Sequence, residues 1–293
     1  MFIERFVHYL KYEKRFSPHT VSAYQNDLDQ FHHFIKESEL NAIDVKHQHV
    51  RSWIVELLDK KTESKTINRK LSTIRSFYKF LLKEELLESN PTLLVKSPKI
   101  PKRLPVIIEE TKINALLDNE ILFSDDFESI RDHLVIELLF GTGIRLAELI
   151  SLQQTDVNFY EATITVLGKR SKQRIIPLND QLLNSLKIYV DRKKNKNYNN
   201  NSSSLFVTKE GNPVYPKFIY RIVKKYLSHI TTQDKKSPHI MRHSFATSLL
   251  NNGADINAIK ELLGHASLAA TQVYTHNSVE RLKTIYKQAH PKA

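Results

Sequence analysis

The sequence predicts a mainly α-helical protein of two domains, the second of which also contains a small β-hairpin. Three observations lead to this fold class. Apolar residues recur at helical spacing over most of the 293 residues, a basic, proline-rich stretch interrupts them, and two short β-prone runs lie close together in the second half. We expect a first domain at residues 1–95, a linker at 96–105 and a second domain at 106–293, since a chain of this length usually forms more than one domain.

The first domain is predicted to contain four helices. Ser17 is a good N-cap and Pro18 suits the first helical position, so the second helix begins there. The fourth helix is expected to run from near Ser64 to Asn90-Pro91. The apolar stripes of the second, third and fourth helices are Val21, Tyr24, Leu28, Phe31 and Phe34; Val50, Trp53, Ile54, Leu57 and Leu58; and Ile67, Leu71, Ile74, Phe77, Tyr78 and Leu81.

The second domain is predicted to alternate helices with one hairpin. We expect a long Asn/Ser-rich loop at residues 193–204, and the β-prone residues 205–208 predict a short edge strand after it. The remaining expected elements, in chain order, are helices near 109–117 and 129–140, a turn at 141–143, a helix at 144–150, hairpin strands at 163–167 and 174–177 around a basic tip, and helices after residue 215 with breaks near Pro238, Gly253 and Gly264.

Composition restricts the class of protein. The chain has no cysteine, which excludes disulfides, cysteine-ligated zinc and thiol catalysis. It has no run of eighteen apolar residues and its first residues are amphipathic, so we expect neither a membrane span nor a signal peptide, and a cytoplasmic location. The formal net charge of +12 predicts an acidic partner, either nucleic acid or an anionic membrane surface.

Two basic segments are the candidate contacts for that partner. One is the polar face of the fourth helix, which carries almost no acid before Glu84; a solvated charged face is the ordinary explanation for such a pattern. The other is the linker, whose prolines and basic residues favour an extended chain. The candidate residues are Lys65, Arg69, Lys70, Arg75, Lys79, Lys99, Lys102 and Arg103.

A set of residues suited to phosphate chemistry occupies the second domain. His239 and Arg242 lie three apart at the start of a helix, near the positive end of its dipole, where an anion is favoured. Arg145 lies in the first turn of another helix, and Glu148, three residues on, is placed to orient its guanidinium. Two guanidiniums could bracket a phosphate and stabilise a five-coordinate transition state.

Three further residues complete the set. His265 follows Gly264, Tyr274 comes nine residues later, and Lys169 lies at the hairpin tip. Taken singly, each has a commoner structural explanation, and a zinc site that uses His239 and His265 has no supporting motif. A tyrosine hydroxyl beside such groups can act as a covalent nucleophile.

The order and types of these residues along the chain resemble the pattern of the tyrosine recombinases (lambda-type integrases) over about residues 105–290. The four-helix portion is similar to that family's SAM-like core-binding domain. The longest similar stretches, 142–149, 237–247 and 261–276, are most similar to the Xer branch, which resolves chromosome dimers at cell division. Two departures are Arg170, which replaces a glycine usual at the hairpin tip, and the long Asn/Ser loop.

The resemblance implies an enzyme that cuts and rejoins DNA through a 3′-phosphotyrosyl intermediate, without metal or cofactor. It implies four protomers on two double-stranded sites, with a second Xer-type recombinase and a DNA translocase as further partners. It also implies that the terminal segment, 282–291, docks into a neighbouring subunit. The implied catalytic residues are Arg145, Lys169, His239, Arg242 and His265 as the activating set, and Tyr274 as the nucleophile.

Three other functions remain open from the sequence. A mobile-element integrase would share all of the chemistry and differ in its DNA site. A type IB topoisomerase would share the phosphotyrosine step but act as a monomer. A non-catalytic DNA-binding protein would need no nucleophilic tyrosine, so the complete residue set disfavours it.

Overall fold

The computed structural model describes residues 2–101, 106–168, 173–196, 203–264 and 276–290, with 276–282 described as backbone only. The chain divides into two compact units, Met1–Leu104 and Pro105–Ala293. The fold is mainly helical, as predicted, and its strands form one small antiparallel sheet in the described residues.

The described part of the first unit contains the four predicted helices. Ser17 caps the second one, since its side chain accepts a hydrogen bond from the backbone N–H of Thr20, and Pro18 is the first helical residue. The first helix continues into a π-helical turn at Tyr9–Glu13. The helices are α1 (Phe2–His8), α2 (Pro18–Glu37), α3 (His47–Asp59) and α4 (Ser64–Lys83).

The core of this unit lies between α2, α3 and α4. Trp53 packs edge-on against Phe31, with ring centroids 4.9 Å apart, and the buried Tyr78 donates a hydrogen bond to the carbonyl of Ala42. All six residues of the predicted α4 stripe are buried. In the α3 stripe, however, Leu58 is exposed, so its assignment to the core is wrong.

Helix α4 ends earlier than the sequence predicts. It stops at Lys83 and not at Asn90, because Glu85 adopts a left-handed conformation with φ of 56°. The N–H of Leu86 then bonds the carbonyl of Leu81, which closes the helix with a Schellman-type bond. No proline is needed for this stop.

The second unit consists of helices around one three-stranded sheet. The sheet is antiparallel, in the order β1-β2-β3, and the predicted hairpin is β2 and β3; β1 was not predicted. Its elements are α5 (Glu110–Leu117), α6 (Phe127–Thr142), α7 (Leu146–Ser151), β1 (Val157–Asn158), β2 (Thr163–Leu167), β3 (Gln173–Pro177), α8 (Asp180–Asn195), α9 (Pro216–Leu227), α10 (Pro238–Asn251), α11 (Ile256–Leu263) and α12 (His276–Ala289).

Helix α6 is the buried centre of this unit and positions the site. It packs against α8, α9 and α10, and nearly all of its residues are buried, including the charged Arg131, Asp132 and Glu137. Gly141 and Thr142 belong to this helix, so the predicted turn at 141–143 is wrong except at Gly143. Gly143 ends the helix in the left-handed conformation.

Two predictions on either side of the Asn/Ser-rich segment are also wrong. Helix α8, which was not predicted, continues to Asn195, and Lys193 is buried with its ammonium bonded to the carbonyl of Ser204 at 2.6 Å. Residues 205–208 form no strand. They contribute only an isolated bridge between Val207 and Pro213.

The described part of the terminal helix packs on its own unit. Tyr286 is buried and its hydroxyl donates to the carbonyl of Gly141 at 2.7 Å, while Nε2 of His290 donates to the same carbonyl at 2.9 Å. Asn252 bonds the carbonyl of Ala289. Tyr286 thus packs on its own unit here, and docking of the terminal segment, 282–291, into a neighbouring subunit stays a prediction.

Candidate active site

Arg145 is held at the start of α7 by Glu148. It is the N-cap residue of that helix; its backbone N–H donates to Oε2 of Glu148 and its Nη1 donates to Oε1, both at 2.8 Å. Its Nη2 donates to the carbonyl of Gly264, also at 2.8 Å. The predicted orienting contact between Glu148 and Arg145 is thus present.

Arg242, on α10, also contacts the end of α11, next to Arg145. The side chain is buried, and its two terminal nitrogens donate to the carbonyls of Gly143 and Leu263. Burial, followed by the positive charges of Arg145 and Arg174, lowers the pKa of Arg242 to about 10. The guanidinium therefore stays charged at neutral pH.

A third arginine, Arg174 on β3, completes the cluster and was not predicted. Its Nη1 and Nη2 bond the two carboxylate oxygens of Glu148 at 2.7 and 2.8 Å, and its Nε donates to the carbonyl of Leu262 at 2.9 Å. One signal for it was present in the sequence. Arg174 alternates with Ile176 on the inward face of a strand, where a charged residue requires a buried partner.

Glu148 is the buried anion that joins these arginines. Burial alone would raise its pKa, but the hydrogen bonds and charge of Arg174, together with the hydrogen bonds from Arg145, outweigh that effect and lower the pKa of Glu148 to about 2. The carboxylate is therefore ionised throughout the physiological range. It balances part of the positive charge of a site that otherwise contains three guanidiniums.

Gly143 permits the close packing on which the cluster depends. Its φ of 57° favours glycine, and a Cβ there would lie 2.5 Å from Phe245 and 2.8 Å from Leu263. Its carbonyl accepts from Arg242. The end of α6 can therefore approach α10 and α11 only without a side chain at this position.

His239 lies one turn before Arg242, on the exposed first turn of α10, as predicted. Its Nε2 lies 3.1 Å from Nε2 of His243, and the two rings meet nearly edge to face. Such a contact requires one Nε2 to donate and the other to accept, so two neutral rings must adopt different tautomers here. His243 is an additional imidazole neighbour of His239 that was not predicted.

The other three predicted catalytic residues, Lys169, His265 and Tyr274, lie outside the described residues. Their neighbours in sequence are described. Gly264, which directly precedes His265, ends α11 in the left-handed conformation, as its glycine predicts. The structure thus brings Arg145 and Arg242 together and leaves the assignments of Lys169, His265 and Tyr274 as predictions.

The basic face of α4 is less available than the sequence predicts. Lys70 is buried, with its ammonium 3.2 Å from Asp27 and bonded to Gln30, so its placement on an exposed face is wrong. The reason is that Asp27 comes from α2 and draws Lys70 inward. Arg69 is exposed but also pairs with Asp27.

The remaining candidate contacts differ in their exposure. Lys65, Lys79 and Lys99 are exposed. Arg75 is half-buried and donates to the carbonyl of Val95 at 2.7 Å, so it holds the chain that leaves the first unit. Lys102 and Arg103 lie outside the described residues. DNA contact by these side chains stays a prediction.

Within the part of the chain that the structure describes, two features are absent: a metal-binding cluster and a membrane-spanning helix. No group of three or more His, Cys, Asp or Glu side chains is arranged to hold a metal ion there. Among the same residues, no helix is long and apolar enough to cross a membrane.

Comparison with known families matches both units. Residues 107–281 match the Phage integrase family, and residues 3–85 match its N-terminal SAM-like domain. The tyrosine recombinase XerC of Chlorobaculum parvum is 39% identical, with 99% of this chain and 94% of that protein covered. The tyrosine recombinase XerD of Staphylococcus haemolyticus is 35% identical, with 99% of each chain covered.

Two solved structures share the fold. The Tn1549 transposon integrase in complex with circular intermediate DNA has a TM-score of 0.72 at 20% identity, covering 96% of this chain and 98% of that one. The XerH recombinase bound to palindromic difH substrate has a TM-score of 0.71 at 20% identity, covering 96% of this chain and 82% of that one.

Proposed function

This chain belongs to the phage integrase family and is a site-specific tyrosine recombinase of the Xer type, and we propose that it cuts and rejoins double-stranded DNA with Tyr274 as the nucleophile. One observation carries the chemistry. The guanidiniums of Arg145 and Arg242 converge on the carbonyls of Gly264 and Leu263, immediately before His265 in the chain.

In the proposed reaction, the two arginines bind the scissile phosphate. A guanidinium has five N–H donors, and the described contacts of Arg145 and Arg242 each use two of them. Donors therefore remain for the non-bridging oxygens of a phosphate. Two fixed positive charges stabilise the additional negative charge of the five-coordinate transition state.

The other predicted residues move protons or form the covalent bond. Tyr274 attacks phosphorus and forms a 3′-phosphotyrosyl bond, while the 5′-oxygen leaves and takes a proton from Lys169. His239 and His265 assist binding and proton transfer. The linkage keeps the energy of the phosphodiester, so a 5′-hydroxyl from a partner duplex can attack it and release Tyr274. This sequence of steps has no need of ATP, a metal or a cofactor.

We assign DNA binding to both units and the chemistry to the second. In this proposal, residues 1–95 form the core-binding domain, 96–105 the linker and 106–293 the catalytic domain. The exposed lysines, Lys65, Lys79 and Lys99, contact phosphates without reading sequence. Two solved relatives of the same fold are complexes with DNA, which supports this assignment.

The relatives named XerC and XerD support a proposal for the assembly and the cellular role. We propose a tetramer on two DNA sites, with a second Xer-type recombinase as an additional subunit and a DNA translocase as regulator, acting in the cytoplasm to resolve chromosome dimers. Similarity of 35–39% over nearly the whole chain favours this role over that of a mobile-element integrase. Mapping the bound sites across the genome tests it: one site in the chromosome is expected, and sites at mobile-element ends would contradict it.

The nucleophile is tested with a nicked suicide duplex that carries the mapped site. Wild type should form a covalent complex resistant to SDS, whereas Tyr274→Phe should form none and bind the duplex with nearly unchanged affinity. The loss is expected because the hydroxyl takes part only in the chemistry, while phosphate contacts supply most of the affinity. Tyr160→Phe, at an exposed tyrosine of the same unit, is the matched control. Equal trapping of Tyr274→Phe and wild type would show that another residue is the nucleophile.

A further inference from the structure

We propose that Arg174 is a positioning residue of the active site. It fixes the carboxylate of Glu148 and, through that carboxylate, the guanidinium of Arg145. This proposal rests on the proposed function, in which Arg145 binds the scissile phosphate. Arg174 itself is not required to touch DNA. Its effect on the reaction passes through the carboxylate of Glu148 and through the carbonyl of Leu262.

The carboxylate of Glu148 is fully occupied by two arginines. Oε1 accepts from Nη1 of Arg145 and from Nη1 of Arg174, while Oε2 accepts from the backbone N–H of Arg145 and from Nη2 of Arg174. A carboxylate has about four acceptor positions, so the two partners fill them. The bidentate bond from Arg174 therefore fixes the plane in which Glu148 presents Oε1 to Arg145.

Arg174 is also the more enclosed of the two arginines that contact Glu148. The side chains of Arg174 and Glu148 are 5% and 4% exposed, whereas that of Arg145 is 30% exposed. This difference separates the two roles. Arg145 is accessible to a phosphate, while Arg174 is placed behind the carboxylate and can only support it.

The three arginines also share one attachment at the end of α11. Arg174, Arg242 and Arg145 donate to three successive carbonyls, those of Leu262, Leu263 and Gly264. The last carbonyls of a helix lack partners within the helix, and cations are favoured there. Arg174 thus ties β3 to the backbone from which both phosphate-binding arginines are held.

The backbone at Gly264 approaches Arg174 closely. A Cβ at Gly264 would lie 3.1 Å from Cδ and Nη1 of Arg174, and the φ of 62° also favours glycine there. The next residue in the chain is His265. Arg174 therefore supports the described end of α11 at the position from which the chain continues towards two of the predicted catalytic residues.

The decisive experiment removes Arg174 and follows cleavage as a function of pH. The variants are Arg174→Gln, Arg174→Lys and the double variant Arg174→Gln/Glu148→Gln. Arg192→Gln is the control, since Arg192 pairs with Asp125 at the surface of the same unit. For each full-length protein, the dissociation constant for the intact duplex and the rate of covalent complex formation on the nicked suicide duplex are measured.

For Arg174→Gln we expect cleavage at neutral pH to fall by up to about 100-fold, since a misplacement of about 1 Å can cost that much in rate, with little change in the dissociation constant. Arg174→Lys should be intermediate, because it keeps the charge and loses the bidentate geometry. Arg192→Gln should match wild type in both measurements.

The pH profile separates positioning from a merely structural role. The groups that face Glu148 are the guanidiniums of Arg145, Arg174 and Arg242. Burial lowers the pKa of Arg242 to about 10, so this guanidinium stays charged on the acidic side. Without Arg174, the pKa of the buried Glu148 should rise, so a new loss of cleavage should appear on the acidic side. The double variant has no carboxyl at position 148, so that acidic loss should disappear while the low neutral rate remains.

The outcomes are distinct from failure of the proposed function. Absence of covalent complex with wild type would refute the proposed function itself. Wild-type cleavage and pH profile in Arg174→Gln would refute only the positioning role. If Arg174→Gln does not fold, as judged by circular dichroism, Arg174→Lys decides: slow cleavage at wild-type stability and affinity supports the proposal, and a wild-type rate overturns it.

Discussion

Asp27 is predicted to be the main electrostatic support of the first unit. Its side chain is 2% exposed and accepts from Lys70 at 3.2 Å and from the hydroxyl of Thr73 at 3.0 Å, in addition to its pairing with Arg69. Asp27→Asn removes the charge with almost no change in volume. The substitution would leave the ammonium of Lys70, itself 7% exposed, buried without its counter-ion.

The expected cost follows from that burial. Removing one partner of a buried ion pair typically costs about 3–5 kcal/mol, because the remaining charge keeps its desolvation penalty. Gln30 still accepts from Lys70, which places the expected loss at the lower end, about 3 kcal/mol. With a urea slope of about 2 kcal/mol/M, the unfolding midpoint should fall by about 1.5 M.

Tryptophan fluorescence measures this unit selectively. The chain has one tryptophan, Trp53, which is buried in the core of the first unit against Phe31. Urea unfolding of the full-length protein, followed at Trp53, therefore reports the unit that contains Asp27. Lys70→Met in the Asp27→Asn background should recover most of the loss, because a buried apolar side chain then replaces the unpaired charge.

The matched control is Glu84→Gln, which breaks the pair between Arg5 and Glu84. Those side chains are 48% and 29% exposed, so the expected loss is below about 1 kcal/mol. Two results would contradict this prediction: a loss of stability for Asp27→Asn no larger than that for Glu84→Gln, or no recovery with Lys70→Met. Either result would mean that the Asp27 cluster is solvated in solution.

Two further predictions concern the second unit and are measured by thermal unfolding followed by circular dichroism. Gly143→Ala should lower the free energy of unfolding by about 2–4 kcal/mol, since it adds strain at positive φ to a clash with Phe245. Gly253 has a φ of 83° and open space around it, so Gly253→Ala measures the strain alone. Equal losses of stability in the two variants would exclude the clash. Tyr286→Phe should cost about 1 kcal/mol, because the bond to the Gly141 carbonyl is lost. An unchanged transition in that variant would show that the hydroxyl does not anchor α12.

Residue types and spacing were largely sufficient to predict which of the described residues form the candidate site. Arg145, Glu148, His239 and Arg242 lie in or beside the first turns of α7 and α10, as their neighbours in sequence indicate. Helix starts follow from local features such as a cap, a proline or a glycine, so they require no knowledge of distant residues. The contact of Glu148 with Arg145 is local for the same reason.

Some of the wrong predictions have a tertiary cause and others a local one. Lys70 was placed on the exposed face because Asp27 precedes it by 43 residues and its effect on α4 depends on how α2 packs. The burial of Lys193 depends in the same way on the carbonyl of Ser204, whereas α8 itself has a local N-cap at Asn179. The early end of α4 at a left-handed Glu85 is local, but no glycine marks it in the sequence.

The sequence by itself determined the helices of the first unit, the hairpin, and the presence of arginines and histidines suited to a phosphate. Periodicity, caps and turn residues act within one element and are therefore legible in a linear chain. Only the tertiary structure decided which groups meet: Arg174 with Glu148 across 26 residues, and three guanidiniums with successive carbonyls of α11. Buried charges require partners, but the sequence does not say which ones, because partners are selected by packing among elements that are far apart in the chain.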